Sequence, residues 1–369
     1  MNLQKMSDTD LKMLLKQKNQ MVTQMHNKQM AIKISMNSLY GAVANKYFLY
    51  FIGEMAEAIT TSGQLSIRYA EQSVNVYLNK ILKTTDVDYI IYIDTDSIYV
   101  DFGPLIKSVF GTVDIDKDKG EQFLDKICGE QIEKVIEDGY EKLAGYTGAY
   151  RNAMVMKREK ITDKSVFVAK KRYIMNTLNS EGVHYDVPKV SVTGLQSVSA
   201  STPQMCRDKM KEFFSVIMDG TESDAQEFIK DFRNEFDKMS AADVAKTMGT
   251  NDIDKHYDRD TIIKQGLTCP IHVRGSLLYN HALEVNGLDS KYEKIRSGDK
   301  VKLVYLKMPN PIRQNVIAFI GGLPPEFGLD QYINYDLQFN KVFLDPMIAV
   351  TEAIGWSAEK IDTLESFFS

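Results

Sequence analysis

Two aspartates separated by one residue, Asp94 and Asp96, are the side chains best suited to do chemistry in this chain of 369 residues. Apolar residues precede and follow them at 87–91 and 98–100, which predicts a hairpin with both carboxylates at its tip. Like charges about 4 Å apart repel by roughly 1 kcal/mol in water and about 4 kcal/mol near a protein surface. Mg²⁺ would remove that repulsion while binding substrate phosphates, although the same residue types are also common in ordinary tight turns.

Lys33, Asn37 and Tyr40 form a second set with chemical potential. The proline-free segment 28–46 predicts a helix, and at 3.6 residues per turn these three side chains lie on one face. A lysine can bind phosphates, an amide can donate and accept hydrogen bonds, and a tyrosine offers a flat ring to a base pair. A solvated polar stripe on an ordinary helix is the alternative interpretation.

Together the two segments resemble the family B DNA polymerases. Residues 33–41 match the fingers pattern Lys-x-x-x-Asn-Ser-x-Tyr-Gly, and residues 92–97 match the palm pattern Tyr-x-Asp-Thr-Asp-Ser, in the order of the family. The resemblance is strongest to polymerases of T-even-type tailed phages. It continues through a palm segment at 156–173, with its Lys-Lys-Arg-Tyr signature, and through thumb segments at 269–280 and 332–346.

The resemblance implies an α+β fold with three regions. Residues 1–45 would be the C-terminal half of the fingers, which is helical. Residues 46–195 would be an incomplete palm, an antiparallel sheet with helices that carries the Asp-Thr-Asp-Ser hairpin. Residues 196–369 would be a mainly helical thumb that ends in a clamp-binding tail.

The resemblance also implies roles for the residues that match the motifs. Asp94, Asp96 and Lys33 would be catalytic, and Asp96, Asp94 and Glu159 would bind metal. The residues implied to bind the incoming dNTP are Lys33, Asn37, Tyr40 and Gly41. The residues implied to contact primer–template DNA are Lys170, Lys171, Arg172, Tyr173, His272 and Arg274.

The chain end resembles the family's tail peptide that docks onto a sliding clamp. Leu364, Phe367 and Phe368 would make this contact, because an aromatic anchor in a pocket is how such small interfaces hold. A tail folded back onto its own thumb is the alternative.

Other parts of a family B polymerase have no counterpart in this sequence. The carboxylate strand with the pattern Asp-x-x-Ser-Leu-Tyr-Pro-Ser is absent, as are the acidic motifs of the proofreading exonuclease. Two-metal phosphoryl transfer needs both ions held between attacking and leaving oxygens. We therefore expect two Mg²⁺ ions whose site is completed by a carboxylate from a partner chain, which would carry the exonuclease and the missing palm strand.

The predicted function is that of the C-terminal subunit or fragment of a DNA-directed DNA polymerase, a nucleotidyltransferase active only with that N-terminal chain. It would work in the cytoplasm of an infected bacterial host cell. The alternative is a non-catalytic module that binds DNA and the sliding clamp. Two departures bear on the site: Ile93 stands where many family members have glycine, and Lys157 stands where relatives can be acidic.

The composition is that of a folded protein, and the chain as a whole is slightly acidic. The hydrophobic share is 44%, the charged share is 26% and the net charge is -5. Residues 157–172 are a local exception, since seven basic and two acidic side chains give a net charge of +5 there, enough to make phosphate binding salt-dependent. No apolar run of 18 residues predicts a membrane span, and three widely spaced cysteines favour reduced thiols.

Hydrophobic periodicity predicts the elements that position these residues. The predicted helices are 8–30, 28–46, 55–82, 120–144, 204–219 and 222–238. The predicted strands are a hairpin within 87–102 and the runs 151–158, 164–176 and 301–306, and residues 184–200 are predicted to leave the palm.

Overall fold

A computed structural model describes residues 6–360 of the chain. The helices are α1 (Asp8–Val43), α2 (Gly53–Leu82), α3 (Gly103–Phe110), α4 (Lys117–Ile127), α5 (Glu133–Thr147), α6 (Gln204–Asp219), α7 (Glu222–Phe236), α8 (Ala241–Val244), α9 (Ile253–His256), α10 (Ile271–Val285), α11 (Tyr335–Phe339) and α12 (Asp345–Glu352). The strands are β1 (Ile90–Asp94), β2 (Ser97–Val100), β3 (Lys160–Ala169), β4 (Arg172–Ser180), β5 (Val183–Thr193), β6 (Lys246–Gly249), β7 (Tyr257–Asp258), β8 (Ile262–Ile263), β9 (Lys300–Tyr305) and β10 (Val316–Phe319). The paired strands are antiparallel, and the predicted α+β class is confirmed.

The chain divides into two units. The first unit extends to Ile115 and resumes at Lys126–Lys157, and the second unit comprises Asp116–Asp125 and the residues from Arg158 onward. The predicted division into fingers, palm and thumb at residues 45 and 195 follows the family's organisation and stays a prediction. No helix within residues 6–360 is both long and apolar enough to cross a lipid bilayer.

In the first unit, α2 and α5 pack against each other. Ala70, Val74 and Leu78 of α2 are fully buried, at the spacing of one helical face. A side chain at Gly139 of α5 would collide with Ser73, so this glycine lets the two helices approach closely. The two strands β1 and β2 form a hairpin that belongs to the same unit.

Helix α1 differs from the other helices of this unit because it has no buried residue. It begins at a capping residue, Ser7, whose hydroxyl oxygen accepts a hydrogen bond from the backbone N–H of Asp10 at 3.2 Å. It then continues for 36 residues, so the two predicted segments 8–30 and 28–46 form one helix that ends at Val43. Tertiary packing supplies most of a helix's stability in ordinary proteins, and the described residues supply little to α1.

The second unit contains a three-stranded sheet in the order β3-β4-β5. Its central strand β4 is buried over six consecutive residues, 174–179. The two-residue turn Lys170–Lys171 joins β3 to β4, with Ala169 paired to Arg172. The sheet thus presents the predicted Lys-Lys-Arg-Tyr segment at the tip of a hairpin.

The core of the second unit lies among α6, α7, α10, α11, α12 and the sheet β10-β9-β6. Phe232 and Phe343 meet edge to face at its centre, with ring centroids 4.7 Å apart. Gly275 of α10 lies against β10, and a Cβ atom there would stand 2.8 Å from the backbone nitrogen of Ala318. The close approach fixes the first turn of α10, which carries two predicted DNA contacts.

Three predicted elements were wrong. The run 151–158 forms no strand, because no other described strand pairs with it. The run 164–176, predicted as one strand, spans parts of two strands and the turn between them. The predicted palm exit at 184–200 includes most of β5, and its role as an exit stays a prediction. The helix predicted at 120–144 is interrupted by a π-helical turn at Cys128–Ile132. The predicted helices at 55–82, 204–219 and 222–238 and the strand at 301–306 are confirmed to within two residues.

Candidate functional site

The hairpin β1–β2 places Asp94 and Asp96 at its tip, as predicted. Asp94 pairs with Ser97, so the connecting loop is only Thr95 and Asp96. Thr95 has a φ of 61°, a left-handed conformation that allows so tight a turn. The backbone N–H of Asp96 donates to the carbonyl oxygen of Asp94 at 2.7 Å, which holds the two residues together.

The two carboxylates have different surroundings. The Thr95 hydroxyl donates to Oδ1 of Asp94 at 3.1 Å, and Asp94 is half-buried. Asp96 is exposed, and its carboxylate makes no hydrogen bond or ion pair with another described residue. The neighbouring Ile93 is half-buried and pairs with Ile98, so its bulk is accommodated within the hairpin.

Two asparagines of α2, one helical turn apart, hold the strand that leads to this tip. The Asn75 side chain accepts from the backbone N–H of Tyr89 and donates to Asp88, both at 2.8 Å. Asn79 donates to the Val87 carbonyl oxygen at 2.7 Å and accepts from the N–H of the same residue at 3.1 Å. These amides take the place of a neighbouring strand just before β1, and no sequence motif indicated them.

The predicted nucleotide-binding residues share one exposed face of α1. Lys33, Asn37 and Tyr40 lie at helical spacing, and their side chains form no hydrogen bond or ion pair within residues 6–360. Tyr40 is 41% exposed although its ring is mostly apolar. The face is therefore free to contact a ligand, as a nucleotide-binding face must be.

Gly41 has no steric reason within the described residues to be glycine. It is helical, and a Cβ atom built on it would meet no other atom within 4 Å. Glycine in a helix costs roughly 0.8–1 kcal/mol relative to alanine. A ligand that approaches this position closely is one reason for a chain to accept that cost.

Most of α1 and the segment after it carry lysines without any acidic residue, a pattern that no motif indicated. From Leu11 to Gly53 there are six lysines and no aspartate or glutamate. The whole chain has a net charge of -5, so this stretch is a strong local exception. Such a surface attracts phosphate-bearing ligands.

In the second unit, the Lys-Lys-Arg-Tyr segment forms a tight turn and the start of a strand. Lys170 and Lys171 are exposed, and Lys171 has a φ of 60°. Arg172 donates to Oε1 of Gln196 at 3.2 Å, and the Tyr173 ring lies 5.6 Å from the ring of Phe167. These four side chains, which were predicted to contact DNA, thus lie together at the tip of one hairpin.

Glu159 lies immediately before β3, in the second unit. Its carboxylate is 63% exposed, and the ammonium of Lys160 is 3.9 Å away. Neighbouring Arg158 is anchored by hydrogen bonds to Asp125 and, at 2.8 Å, to Asn179. Lys157, the departure noted in the sequence, forms an ion pair of 2.7 Å with Glu133 inside the first unit, which raises the pKa of the lysine.

His272 and Arg274 occupy the first turn of α10. Burial lowers the pKa of His272, which favours its neutral form. Arg274 donates to Oδ1 of Asn315 at 2.8 Å, while its Nε atom is buried without a partner. The two side chains lie two residues apart in this turn, so they project from different sides of α10.

The structure thus groups the predicted residues into four sets, each held by its own element. These are the face of α1, the tip of β1–β2, the turn between β3 and β4, and the start of α10. Glu159, immediately before β3, belongs to none of the four. Within residues 6–360, no group of three or more His, Cys, Asp or Glu side chains is arranged to hold a metal ion. The predicted clamp-binding residues Leu364, Phe367 and Phe368 lie outside the described residues.

Comparison with known proteins gives consistent matches. Residues 6–117 match the model of the family described as DNA polymerase family B. The chain is 30% identical to the DNA-directed DNA polymerase of Enterobacteria phage T4 over 98% of its own length and 41% of that enzyme. It is 30% identical to the DNA-directed DNA polymerase of Escherichia phage RB69 over 91% of its length and 38% of that enzyme.

These matches confirm the predicted resemblance to phage polymerases of this type. The chain spans about two fifths of the length of the curated relatives it matches. The matched residues include the face of α1 and the tip of β1–β2, which lie within residues 6–117.

Proposed function

We propose that this chain, a relative of the family B DNA polymerases, supplies one side of a DNA polymerase active site and requires the N-terminal part of such an enzyme for activity. In the proposed reaction the primer 3′-hydroxyl attacks the α-phosphate of a dNTP, and pyrophosphate leaves. The observation that carries the proposal is the hairpin β1–β2, which presents two carboxylates at its tip but pairs with no further strand among residues 6–360.

An isolated two-stranded ribbon is marginal in water, and its unpaired backbone groups are a template for another strand. A strand that added to this ribbon could bring a further carboxylate to the tip. The pattern Asp-x-x-Ser-Leu-Tyr-Pro-Ser, absent from this chain, is the one that the resemblance assigns to such a strand.

The donor chemistry at the tip suits Mg²⁺, which prefers carboxylate and phosphate oxygens. Asp96, whose carboxylate has no partner among the described residues, would be a direct ligand, and Asp94 would contribute a second carboxylate. Glu159 is a further candidate ligand. When bound, the two ions would stabilise the charge on the attacking and leaving oxygens.

The face of α1 would bind the triphosphate and the nascent base pair. Lys33 would balance negative charge that develops on the phosphates, an electrostatic effect in the transition state. Asn37 would line the nucleotide pocket, Tyr40 would press against the new pair, and Gly41 would leave room for it. The lysine-rich, acid-free stretch 11–53 supports an anionic ligand here.

Primer–template DNA would be held mainly by the second unit. Lys170, Lys171, Arg172 and Tyr173 present cations and a ring at one hairpin, and His272 and Arg274 do so at the start of α10. Contacts of this kind to phosphates carry no sequence information, as a replicative enzyme requires. A sliding clamp would bind the chain end through Leu364, Phe367 and Phe368. The enzyme would act in the cytoplasm of an infected bacterial host cell.

Primer extension tests it. The chain is assayed alone, and together with a polypeptide that carries the missing N-terminal region, using wild type, Asp96→Asn and the control Asp101→Asn. Asp101 directly follows β2, and its carboxylate accepts a hydrogen bond from the backbone N–H of Gly103 at 2.8 Å, a role asparagine can keep. We expect synthesis only in the mixture, a loss of at least about a hundredfold with Asp96→Asn, and little change with Asp101→Asn.

Full synthesis by the chain alone would contradict the need for a partner. Equal synthesis by Asp96→Asn and wild type in the mixture would instead favour a non-catalytic module that binds DNA and the clamp.

A further inference from the structure

The second unit contains an open cleft of about 630 Å³ that is lined by one predicted site residue, Arg172, and otherwise by residues to which no role has been given. Its walls come from the start of β4, the segment 194–202 after β5, the start of β6, and the helical segment 341–349. The volume lies within the range of roughly 300–1,000 Å³ that is typical of ligand sites.

The cleft is positively charged. Arg172, Lys246 and Lys341 line it with a single carboxylate, Asp345, so the balance of the lining is 3 − 1 = +2. Asp345 accepts from Lys341 at 2.8 Å, which neutralises one of the cations. Within residues 6–360, the guanidinium of Arg172 has only the neutral side chain of Gln196 as its partner, at 3.2 Å.

Lys246 is the least compensated of these cations. It is half-buried at the start of β6, and its ammonium forms no hydrogen bond or ion pair with the residues described by the structure. An anion in the cleft would supply the missing partner.

The rest of the lining suits a phosphate attached to an apolar group. Ser199, Ser201 and Thr202 add hydroxyls to the lining, and the hydroxyls of Ser199 and Ser201 lie 2.8 Å apart. Val342 and Pro346 add apolar surface to it. A guanidinium, an ammonium and hydroxyl donors are the groups that recognise phosphate oxygens.

The backbone links the cleft to the β3–β4 turn. Gly194, in the cleft wall, has a φ of 66°, and a side chain there would collide with the carbonyl oxygen of Lys171. The segment that follows β5 is thus pressed directly against the Lys170–Lys171 turn. A strand held at that turn has a short path into the cleft.

We infer that this cleft binds a phosphate group, with Lys246 as its principal ammonium and Arg172 as its guanidinium. Either a phosphodiester of the DNA strand held at the β3–β4 turn or a free phosphate can supply this chemistry. The choice of DNA as ligand rests on the proposed function, whereas the phosphate chemistry of the cleft does not.

The test measures the affinity of the full chain for a primer–template duplex by fluorescence anisotropy at several salt concentrations. Lys246→Gln is compared with Lys255→Gln, an exposed lysine of the same unit that lies outside the cleft and has no ion pair among the described residues. We expect Lys246→Gln to weaken binding roughly three- to tenfold and to reduce the slope of log affinity against log salt by about one. Lys255→Gln should leave the slope unchanged. Lys246→Arg should keep the wild-type slope if Lys246→Gln acts by removing a charge and not by disturbing the fold.

Calorimetric titration with inorganic phosphate separates the two sources. Phosphate binding that disappears in Lys246→Gln supports the cleft as a site for free phosphate, and a reduced salt slope without measurable phosphate binding supports a phosphodiester. An unchanged slope together with no phosphate binding overturns the inference. That failure is distinguishable from failure of the polymerase proposal, in which synthesis by the mixture would be absent or independent of Asp96.

Discussion

The two units of the chain differ in how they treat their apolar side chains. In the second unit, Phe232 is 1% exposed among a cluster of aromatic rings, and the helices close over a continuous core. In the first unit, Leu39 of α1 is 65% exposed, and Tyr47 and Leu49 in the segment after α1 are each 84% exposed. Single exposed apolar residues are ordinary, but a 36-residue helix without a buried residue is not.

The same contrast holds for the two hairpins that carry the predicted site residues. Both have two-residue loops with one residue in the left-handed conformation, Thr95 in one and Lys171 in the other. The β3–β4 hairpin is completed by β5, whereas β1–β2 stays two-stranded among the described residues. In the second unit, the candidate DNA contacts at the β3–β4 turn therefore lie on a three-stranded sheet. In the first unit, Asp94 and Asp96 lie on a two-stranded hairpin to which a further strand could add.

Truncation of an apolar side chain to alanine should give the largest difference in stability between the two units. Phe232→Ala removes a buried ring from the second unit and should lower the free energy of unfolding by about 3–5 kcal/mol. Leu39→Ala removes an exposed side chain and should change the stability of the isolated chain by less than about 0.5 kcal/mol. Chemical denaturation of both variants measures this, and equal losses would show that α1 is covered within the chain itself.

The asparagine anchor of β1 comes next in expected size. Asn79→Ala removes hydrogen bonds to both backbone groups of Val87 and should destabilise the first unit by about 1–3 kcal/mol. The control Gln72→Ala alters an exposed residue of the same helix that makes no hydrogen bond within the described chain. Thermal unfolding should show a loss for the first variant only, and equal curves would mean that the hairpin does not depend on α2.

Substitution of Gly41 should have a smaller effect, which is favourable for the stability of α1 and unfavourable for dNTP binding. Gly41→Ala should stabilise α1 in the isolated chain by about 0.8–1 kcal/mol, because no neighbour opposes the new methyl group. If a nucleotide approaches this position, the same change should weaken dNTP binding in the active mixture. The matched control is Gly63→Ala, in α2, which also has open space around it. Circular dichroism and the KM for dNTP give the two readouts, and unchanged KM for both variants would remove Gly41 from the site.

The smallest expected effect is a pH dependence confined to the second unit. Hydrogen bonds from Lys291 and Tyr292 lower the pKa of Glu326 from 4.5 to about 2. A carboxylate whose pKa is lower in the folded state adds stability above pH 4.5 and loses it as the pH falls towards 2. The difference in Tm between wild type and Glu326→Gln should therefore shrink over that range, while Glu352→Gln, an exposed control, should show no such trend. A constant difference would mean that the pair does not stabilise the fold.

Much of this organisation could be predicted from local sequence. The hairpin at Asp94 and Asp96 and the helical face of Lys33 and Tyr40 follow from patterns of a few residues, and the structure has both. The extended run 151–158 has strand-like composition but no partner strand among the described residues, and pairing is not visible in a single segment. The anchors Asn75 and Asn79 and the lysine at the cleft, Lys246, were missed for a similar reason, since their roles depend on residues distant in sequence.

Hydrogen exchange at residues 90–100 tests the central claim most directly, because it observes the backbone of the unfinished hairpin. Exchange is measured in the chain alone and after addition of a polypeptide carrying the missing N-terminal region, with the buried strand β4 as an internal reference. We predict that exchange in β1–β2 slows at least about tenfold in the mixture, equivalent to roughly 1.4 kcal/mol of added local stability, while β4 is unchanged. Identical exchange at residues 90–100 in both samples would contradict the claim that a second strand completes this site.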